Sequence, residues 1–391
     1  MSRMTVILSG LLSVCLLLSA CSGAALPVET GAPEETSAET EGAPAPSSKG
    51  TVVKRGTYDM KEFAFSELAP FVRLLGERTN VTEKGLVTEW ACSGFEMLLE
   101  TEGTDLDLLV ESTYGAFFKV YVDGVEQKSR AVVDRASVRV KAARDIEPGT
   151  HLLRVLKDSQ PDIGGGSCTI TGAALEGTVL QAEQKDQALF LEFIGDSIWT
   201  GVGALGDQAS SPTYSSEISA TTATPYRTAM ALSADYNVTA RGSIGIVKPA
   251  GSLVMGELFP RLNGYRDEAP YVPRRSPDAV IICLCANDPA KDAELFVERG
   301  KAFIAQLRET YGADVKIVWT YGMFSKTHLV REIGEIVEAS GGEAAGVYSL
   351  QMIYGQHGSG SRENNRHPSA DDHAKNTEHL IPFLKEILQL N

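Results

Sequence analysis

The sequence predicts two folded parts, an all-β part followed by an α/β part built on a parallel sheet. In residues 53–180, short runs of alternating apolar and polar residues are separated by hairpin-turn dipeptides. In residues 186–391, apolar strands alternate with amphipathic stretches, which is typical of a parallel sheet with helices on both faces. We therefore expect a β-sandwich followed by a three-layer α/β/α fold.

The composition is that of an ordinary globular protein and excludes several classes. Of 391 residues, 43% are hydrophobic and 22% are charged, so neither a wholly disordered chain nor a multi-span membrane protein is expected. With 36 basic and 51 acidic residues, the formal net charge is −15, and we expect no nucleic-acid partner. The sequence contains no C-x-x-C, H-E-x-x-H or G-x-x-x-x-G-K motif, and we expect no metal and no cofactor.

Residues 1–20 are typical of an export signal. Arg3 precedes an apolar run over residues 6–18, which is too short for a membrane-spanning helix of about 20 residues. The run ends in Leu18-Ser19-Ala20-Cys21, which resembles the lipobox of bacterial lipoproteins. The resemblance implies that Cys21 becomes a lipid-modified N-terminus that anchors the protein to the membrane at the cell surface. The alternative is an ordinary secretory signal that is cleaved nearby, with Cys21 incidental.

Residues 21–52 are expected to form a disordered tether between the anchor and the folded part. They are rich in Pro, Glu and Thr, and no large apolar side chain follows Val28 before residue 51. Such a segment buries too little apolar surface to offset the entropy that ordering would cost.

The predicted β-sandwich domain spans residues 53–182. Asp123-Gly124 and Pro148-Gly149 are turn dipeptides. Alternating strands are expected over residues 106–111, 117–122, 137–140 and 151–156. The polar segment 181–187 is the expected joint to the next domain.

The predicted α/β domain spans residues 186–391. Apolar strands are expected over residues 189–194, 236–240, 279–284 and 315–319. Three amphipathic helices are expected, and their apolar faces carry Phe296, Phe303, Leu307 and Tyr311 in the first, Leu329, Ile333, Ile336 and Val337 in the second, and residues 380–390 in the third.

Four cysteines remain apart from Cys15 and Cys21. Cys283 and Cys285 are two residues apart in an apolar run, so we expect them on one side of a buried strand as unpaired core residues. A disulfide between Cys92 and Cys168 is an alternative that the sequence leaves open.

Polar and glycine-rich blocks follow the apolar strands of the second domain. Gly195-Asp196-Ser197 follows the first strand, residues 241–245 follow the second, and Asn287-Asp288 follow the third. A fourth block, His367-Pro368-Ser369, precedes the last helix. Because ligands bind at the carboxyl ends of parallel strands, these blocks are expected to meet at one edge of the sheet.

These four blocks, in this order, resemble the SGNH (GDSL-type) hydrolase superfamily. The whole chain resembles carbohydrate esterase family two, in which an N-terminal jelly-roll domain precedes an SGNH domain. The resemblance covers roughly residues 70–391, and further matches are Tyr121-Val122-Asp123-Gly124, Gly149-Thr150-His151, Thr224-Pro225-Tyr226 and Gly256-Glu257-Leu258-Phe259. It implies an esterase that removes acetyl groups from polysaccharides such as xylan or mannan.

The resemblance also implies roles for single residues. Ser197 would be the nucleophile, and His367 would be the general base that takes its proton. Considered alone, Ser197 could instead cap a helix, and His367 could be a surface-loop histidine. The oxyanion hole would combine the backbone N–H groups of Ser197 and Gly245 with the Asn287 amide. A one-step slip in the glycine turn would move its donor to Ser243, and Asn287 is alternatively a strand-end turn residue.

One position departs from the superfamily pattern. The acid that usually lies three residues before the catalytic histidine is replaced by Asn364, which supplies no negative charge. The resembled family includes Ser–His dyads in which a backbone carbonyl orients the histidine. Glu363, Asp371 and Asp372 are nearby carboxylates that offer an alternative. Asp288 and His373 are expected to be structural hydrogen-bonding groups.

Trp199 and Phe324 are expected near the site, where aromatic rings stack on sugars, with core or lid packing as the alternative. The expected function is that of an exported, lipid-anchored esterase for acetylated polysaccharides. Deacetylation of another glycan, such as peptidoglycan or a host glycan, is the second hypothesis. A non-catalytic glycan-binding lipoprotein is the third, and Asn364 is its only support in the sequence.

Overall fold

This computed structural model describes residues 58–390 apart from 129, 136–137, 207–215, 325–327 and 359–366. Two antiparallel sheets make up the first part of the fold. One short helix, α1 (Phe65–Leu68), accompanies them. The strands are β1 (Lys61–Ala64), β2 (Arg73–Leu75), β3 (Asn80–Thr82), β4 (Gly85–Val87), β5 (Gly94–Thr101), β6 (Thr104–Ser112), β7 (Ala116–Val122), β8 (Val125–Glu126), β9 (Ala131–Val133), β10 (Val138–Ile146), β11 (Gly149–Lys157), β12 (Cys168–Leu175) and β13 (Thr178–Leu180).

The two sheets enclose one apolar core. The first has the order β10-β6-β12-β4-β3, with β1 also paired with β12, and the second has the order β13-β5-β11-β7-β8, with β2 on β5 and β9 on β7. Alternate residues point inward, so Leu106 and Leu108 of β6 pack with Phe95 and Met97 of β5 in the same cluster. This is the β-sandwich that the alternating sequence predicts.

A parallel sheet makes up the second part. Its strands are β14 (Phe190–Gly195), β15 (Asp235–Ala240), β16 (Ala279–Cys283), β17 (Lys316–Tyr321) and β18 (Val347–Gln351), in the order β15-β14-β16-β17-β18. The helices are α2 (Thr224–Ala231), α3 (Met255–Leu258), α4 (Ala293–Tyr311), α5 (Val330–Ala339) and α6 (Ala370–Leu388). The strand order reverses direction between β14 and β16, and this switch point is where parallel sheets bind ligands.

Both faces of the parallel sheet are buried. Phe193 of β14 faces the core cluster that includes α2 and α6, whereas the next residue, Ile194, faces the cluster that includes α4 and α5. Strands that are buried on both faces are continuously apolar, which explains the hydrophobic sequence of β16 and, apart from the buried Glu192, that of β14. The layers are therefore helix, sheet and helix, as predicted.

Side chains of the sandwich are also buried against the α/β part. The Trp90 indole N–H donates to the Leu262 carbonyl at 2.7 Å. The Arg78 guanidinium donates to the carbonyls of Phe259 and Arg261 and lies 3.6 Å from the centre of the Tyr271 ring. Hydrogen bonds and cation–π contacts of this kind fix the two parts against each other.

The predicted elements correspond to observed ones, with differences at their ends. The third predicted helix begins at Ala370, ten residues before the apolar run, because Ser369 caps it by accepting a hydrogen bond from the Asp372 N–H. Strand β18 was not predicted, since its residues Val347–Gln351 alternate between buried and exposed. Between β13 and β14, where the joint is predicted, lies a segment without regular structure.

Two further predictions concern cysteines and the membrane. All four cysteines are free, and Cys92 and Cys168 form no disulfide. The predicted signal, Cys21 and the tether lie outside the described residues. Among the helices described, none combines the length and the apolar character needed to cross a bilayer.

Candidate active site

Ser197 lies at the switch point of the parallel sheet. Strand β14 ends at Gly195, and the Arg241 N–H, just beyond the end of β15, donates to the Gly195 carbonyl. The chain then turns, with the Val202 N–H donating to the Ser197 carbonyl at 3.0 Å. This turn leaves Ser197 half-buried, with its side chain at a cavity of about 400 Å³.

The side chains of Ser197 and His367 meet in this cavity. The distance between Ser197 Oγ and His367 Nε2 is 2.8 Å. His367 is only 8% exposed, and burial lowers its pKa to about 4. At neutral pH the imidazole is therefore uncharged and able to accept the hydroxyl proton, as a general base requires.

Asp196 fixes the turn that carries the serine. Its Oδ1 accepts the Ile198 N–H at 2.9 Å, and its Oδ2 accepts from the Asn287 side-chain amide at 3.1 Å. Burial raises the pKa of Asp196 to about 7, and the nearby Asp288 carboxylate adds to the rise. Asp196 therefore acts on the position of Ser197 and does not contact the cavity.

The surroundings of His367 come from three segments. The Phe324 ring is tilted against the imidazole, with the ring centres 5.5 Å apart, and the His367 carbonyl accepts the Gly358 N–H. Of the nearby carboxylates, Asp371 is exposed, whereas Asp372 accepts from Ser369 and from His357 at the start of α6. Glu363 and Asn364 lie outside the described residues, so the group that orients His367 stays a prediction.

The structure does not bring Gly245 to the cavity, which corrects the predicted oxyanion donor. The Gly245 N–H donates to the Lys248 carbonyl at 2.8 Å, inside its own loop. Ser243 lines the cavity instead, with a φ of 69°, and neither its N–H nor that of Ser197 has an acceptor among the described residues. The pair of free donors is therefore Ser197 and Ser243, the alternative that a one-step slip predicts.

Asp288 determines the path of the loop after β15. Its carboxylate accepts the N–H groups of Ile246, Val247 and Lys248 at 3.1, 2.7 and 3.0 Å. A Cβ atom at Gly245 would lie 2.6 Å from Asp288 Cγ, so this position admits only glycine. Gly245 thus supports the loop and does not line the cavity.

Asn287 lines the cavity, and its side-chain amide also holds two segments of the site together. Its amide nitrogen donates to Asp196 Oδ2 and to the Ile244 carbonyl, at 3.1 and 3.0 Å. Both amide hydrogens are therefore occupied, and Asn287 ties the serine turn to the loop after β15. A role as a third oxyanion donor stays a prediction.

His373 is fully buried and accepts hydrogen bonds at Nδ1 from the N–H and the hydroxyl of Thr224. Burial lowers its pKa to about 3. It connects α6 to α2 and lies outside the residues that line the cavity, as its predicted structural role requires.

The two predicted sugar-stacking residues have different positions. Phe324 lines the cavity. Trp199 does not, because it is 0% exposed and packs edge-on against Phe193, with the ring centres 5.5 Å apart. The prediction for Trp199 is therefore wrong, since the turn after Ser197 folds its side chain back onto the sheet.

Three polar or charged side chains that line the cavity had no individual role predicted from the sequence: Gln160, Arg241 and Lys248. Gln160 belongs to the sandwich part, in the loop between β11 and β12, and its Oε1 accepts the Gly242 N–H at 2.8 Å. No local pattern marks Gln160, because the contact joins two distant parts of the chain. Arg241 directly follows β15, so the rule that ligands bind at strand ends, which points to Gly242 and Ser243, also indicates that Arg241 lies at the cavity.

Solved structures with the same fold include carbohydrate esterases and an acyltransferase. The chain is similar to an acetyl xylan esterase from the rumen bacterium Butyrivibrio proteoclasticus, at 18% identity over 85% of this chain and 100% of that chain, with a TM-score of 0.73. It is also similar to a family two carbohydrate esterase from Clostridium thermocellum in complex with cellohexaose, at 23% identity over 82% and 100% of the two chains, with a TM-score of 0.72.

More distant structures extend the same pattern. A GDSL-like lipase from Bacteroides ovatus matches at 12% identity over 85% of this chain and 99% of that chain, with a TM-score of 0.54. No family model and no curated protein matches the sequence. The fold class that the sequence predicts, a three-layer α/β/α fold on a parallel sheet after a β-rich region, is confirmed. At these identities the likeness shows the fold, and the activity has to be argued from the site.

Proposed function

We propose that this protein is a serine esterase that removes O-acetyl groups from acetylated polysaccharides of the xylan or mannan type. The observation that carries the proposal is the 2.8 Å contact between Ser197 Oγ and His367 Nε2 at the switch point of the sheet. Among the described residues, no group of His, Cys, Asp and Glu is arranged to hold a metal ion.

In the first half of the reaction, His367 Nε2 takes the hydroxyl proton as Ser197 Oγ attacks the acetyl carbonyl carbon. The carbonyl oxygen becomes an oxyanion, which the N–H groups of Ser197 and Ser243 stabilise by donating hydrogen bonds. Collapse of this intermediate breaks the ester bond to the sugar. His367 then returns the proton to the sugar oxygen, which leaves as a hydroxyl.

In the second half, water replaces the sugar. His367 takes a proton from the water as it attacks the acetyl-Ser197 ester, and the same two N–H groups stabilise the second oxyanion. Collapse of this second intermediate breaks the bond between the acetyl carbon and Ser197 Oγ, and His367 returns its proton to Oγ. The products are acetate and the regenerated serine. Burial favours the uncharged imidazole at the start of each half-reaction, because it lowers the pKa of His367 to about 4.

The choice of an acetyl group and a polysaccharide rests on the structural neighbours. One of them is described as an acetyl xylan esterase, and another was solved with cellohexaose bound. The cavity supports this choice, because Gln160, Asn287 and Ser243 offer neutral polar groups and Phe324 offers an aromatic ring. Such a mixture suits sugar hydroxyls and sugar ring faces.

Acetate release from acetylated xylan, acetylated glucomannan and O-acetylated peptidoglycan tests the proposal. We expect the wild-type protein to release acetate from at least one plant polysaccharide, and we expect Ser197→Ala to abolish this. Ser340→Ala, at the end of α5, is the matched control and should retain full activity. Binding of the polysaccharides without acetate release would contradict the proposal and favour the non-catalytic glycan-binding function. Release from peptidoglycan alone would move the substrate to that glycan.

We also propose that the esterase is exported and held on the cell surface by a lipid on Cys21. The support is the apolar run over residues 6–18 that ends in the Leu18–Cys21 lipobox pattern. Cys21→Ser should move the protein from the membrane fraction to the soluble fraction, while Cys15→Ser, inside the apolar run, should not. Unchanged partitioning of Cys21→Ser into detergent would contradict the anchor.

A further inference from the structure

The cavity around Ser197 is lined by two cations, Arg241 and Lys248, and by no carboxylate of the described residues. Both belong to the loop that follows β15 and carries Ser243. The chain as a whole has a formal net charge of −15. A positively charged cavity in an acidic protein is therefore a local feature, and it calls for a ligand that explains it.

The Arg241 guanidinium is incompletely paired. One of its terminal nitrogens donates to the Gly242 carbonyl at 3.1 Å, while Nε is buried and has no acceptor among the described residues. Burial lowers the pKa of Arg241, and the attraction of the Asp162 carboxylate, which forms no ion pair with it, only partly offsets this effect. A buried guanidinium of this kind is costly in the free protein, and a bound anion would remove the cost.

Other arginines in the described part of the chain show the contrast. Arg78 is more deeply buried, but it donates to two carbonyls and lies 3.6 Å from the Tyr271 ring centre. Arg154 and Arg266 have Glu96 and Glu89 as ion-pair partners. Arg241 has no cation–π contact and no carboxylate within ion-pair distance among the described residues, and the Asp162 carboxylate attracts it only from farther away. Of these arginines, only Arg241 lines the catalytic cavity.

We propose that the preferred substrate is an acetylated glycan that also carries a carboxylate, which Arg241 and Lys248 bind beside the ester. This inference rests on the proposed esterase function. A guanidinium matches a carboxylate with two parallel hydrogen bonds, whereas the exposed ammonium of Lys248 adds a single charge. The Gln160 amide nitrogen and the Asn287 amide oxygen, which the contacts described above leave unused, can serve neutral hydroxyls of the same sugar chain. Uronic acids and the lactyl group of muramic acid both carry such a carboxylate.

A different role for Arg241 makes a different prediction. If the guanidinium only stabilised the oxyanion, every ester would need it equally, because every ester forms the oxyanion. If it binds a carboxylate of the substrate, only carboxylated substrates lose affinity when it is removed. The ratio of activities on matched substrates therefore separates the two roles.

The experiment compares acetylated xylo-oligosaccharides that carry glucuronic acid with the same oligosaccharides after chemical reduction of the carboxyl group to an alcohol. We expect the wild-type kcat/KM to be at least tenfold higher on the carboxylated form, mainly through KM. Arg241→Gln should reduce this preference about tenfold to hundredfold, and Lys248→Gln about threefold, because an exposed ion pair is weaker. Arg241→Lys should restore part of it. Arg331→Gln is the control, because it removes a cation from the exposed surface of α5, and it should leave the preference unchanged.

A second arm uses an O-acetylated muramic acid disaccharide and its carboxyl-reduced form, which identifies the source of the carboxylate. A preference for the carboxylated form in either arm supports the proposal. Equal kcat/KM on both forms in both arms would overturn it, as would an Arg241→Gln variant that loses the same factor on both forms.

Binding separates this inference from the proposed function. The Ser197→Ala protein should bind the carboxylated oligosaccharide at least tenfold more tightly than the reduced one in calorimetry, and added NaCl should weaken this binding. If no glycan is hydrolysed but this preference persists, the esterase function fails and the carboxylate site stands. If glycans are hydrolysed but Ser197→Ala shows no such preference, the esterase function stands and the carboxylate site fails.

Discussion

Gln160→Met should lower the esterase activity, because Gln160 connects the β-sandwich to the loop that carries the oxyanion donor. The Gln160 Oε1 atom accepts the N–H of Gly242, which is buried and directly precedes Ser243. The Thr200 hydroxyl donates to the same oxygen at 3.4 Å. Methionine has a similar length and shape but offers no comparable acceptor.

The size of the effect follows from the lost acceptor. Leaving a buried N–H without a partner costs about 1–3 kcal/mol. If this cost falls on the loop conformation that aims the Ser243 N–H at the cavity, kcat/KM falls by about 5- to 150-fold. The loss should appear mainly in kcat, because the oxyanion exists only in the transition state and the intermediates.

Steady-state hydrolysis of 4-nitrophenyl acetate measures this loss, with a melting temperature recorded for each variant. Gln184→Met is the matched control, since the Gln184 amide donates to the Val72 carbonyl at 2.8 Å and lies outside the catalytic cavity. We expect Gln184→Met to change stability without a fall in kcat. A Gln160→Met protein with unaltered kcat, or an equal kcat loss in Gln184→Met, would refute the positioning role of Gln160.

Three further predictions concern the frame of the site. Gly245→Ala should destabilise the protein and reduce activity, because the new Cβ would meet the Asp288 carboxylate. Gly334→Ala in α5 is the control and should be neutral or stabilising in thermal unfolding, because a Cβ there would meet nothing within 4 Å. The acid limb of the pH profile of kcat/KM should have its midpoint near pH 4, because protonation of His367 at its lowered pKa of about 4 removes the base as the pH falls. A midpoint at pH 6.5 or above would contradict the conclusion that burial lowers the pKa of His367. Trp199→Ala should cost about 3–5 kcal/mol of unfolding free energy, as expected for a core residue, and a loss of glycan affinity at full stability would instead restore its stacking role.

Several parts of the account were predictable from the sequence because they depend on local periodicity. Buried strands such as Phe190–Gly195 are short apolar runs, and α4 carries its apolar residues on one face. Once the parallel strands are placed, the strand-end rule brings Ser197 and Asn287 to one edge without any knowledge of the tertiary contacts.

The remaining features depend on contacts that no local pattern encodes. The path of the loop after β15 is set by the distant Asp288 carboxylate, which turns the Gly245 N–H toward Lys248 and leaves the Ser243 N–H free. Gln160 reaches the cavity from the other half of the molecule. Trp199 lies close to Ser197 in sequence, but the direction of its side chain follows from the turn and not from its distance along the chain.

Covalent labelling with a fluorophosphonate, followed by intact mass measurement and peptide mapping, tests most directly whether Ser197 is a nucleophile activated by His367. The reagent requires no knowledge of the glycan, because it reacts with the activated serine itself. We expect one adduct per chain, located on Ser197, with none in Ser197→Ala and a labelling rate at least 10³-fold lower in His367→Ala. An adduct on another residue, or unaltered labelling in His367→Ala, would contradict the account.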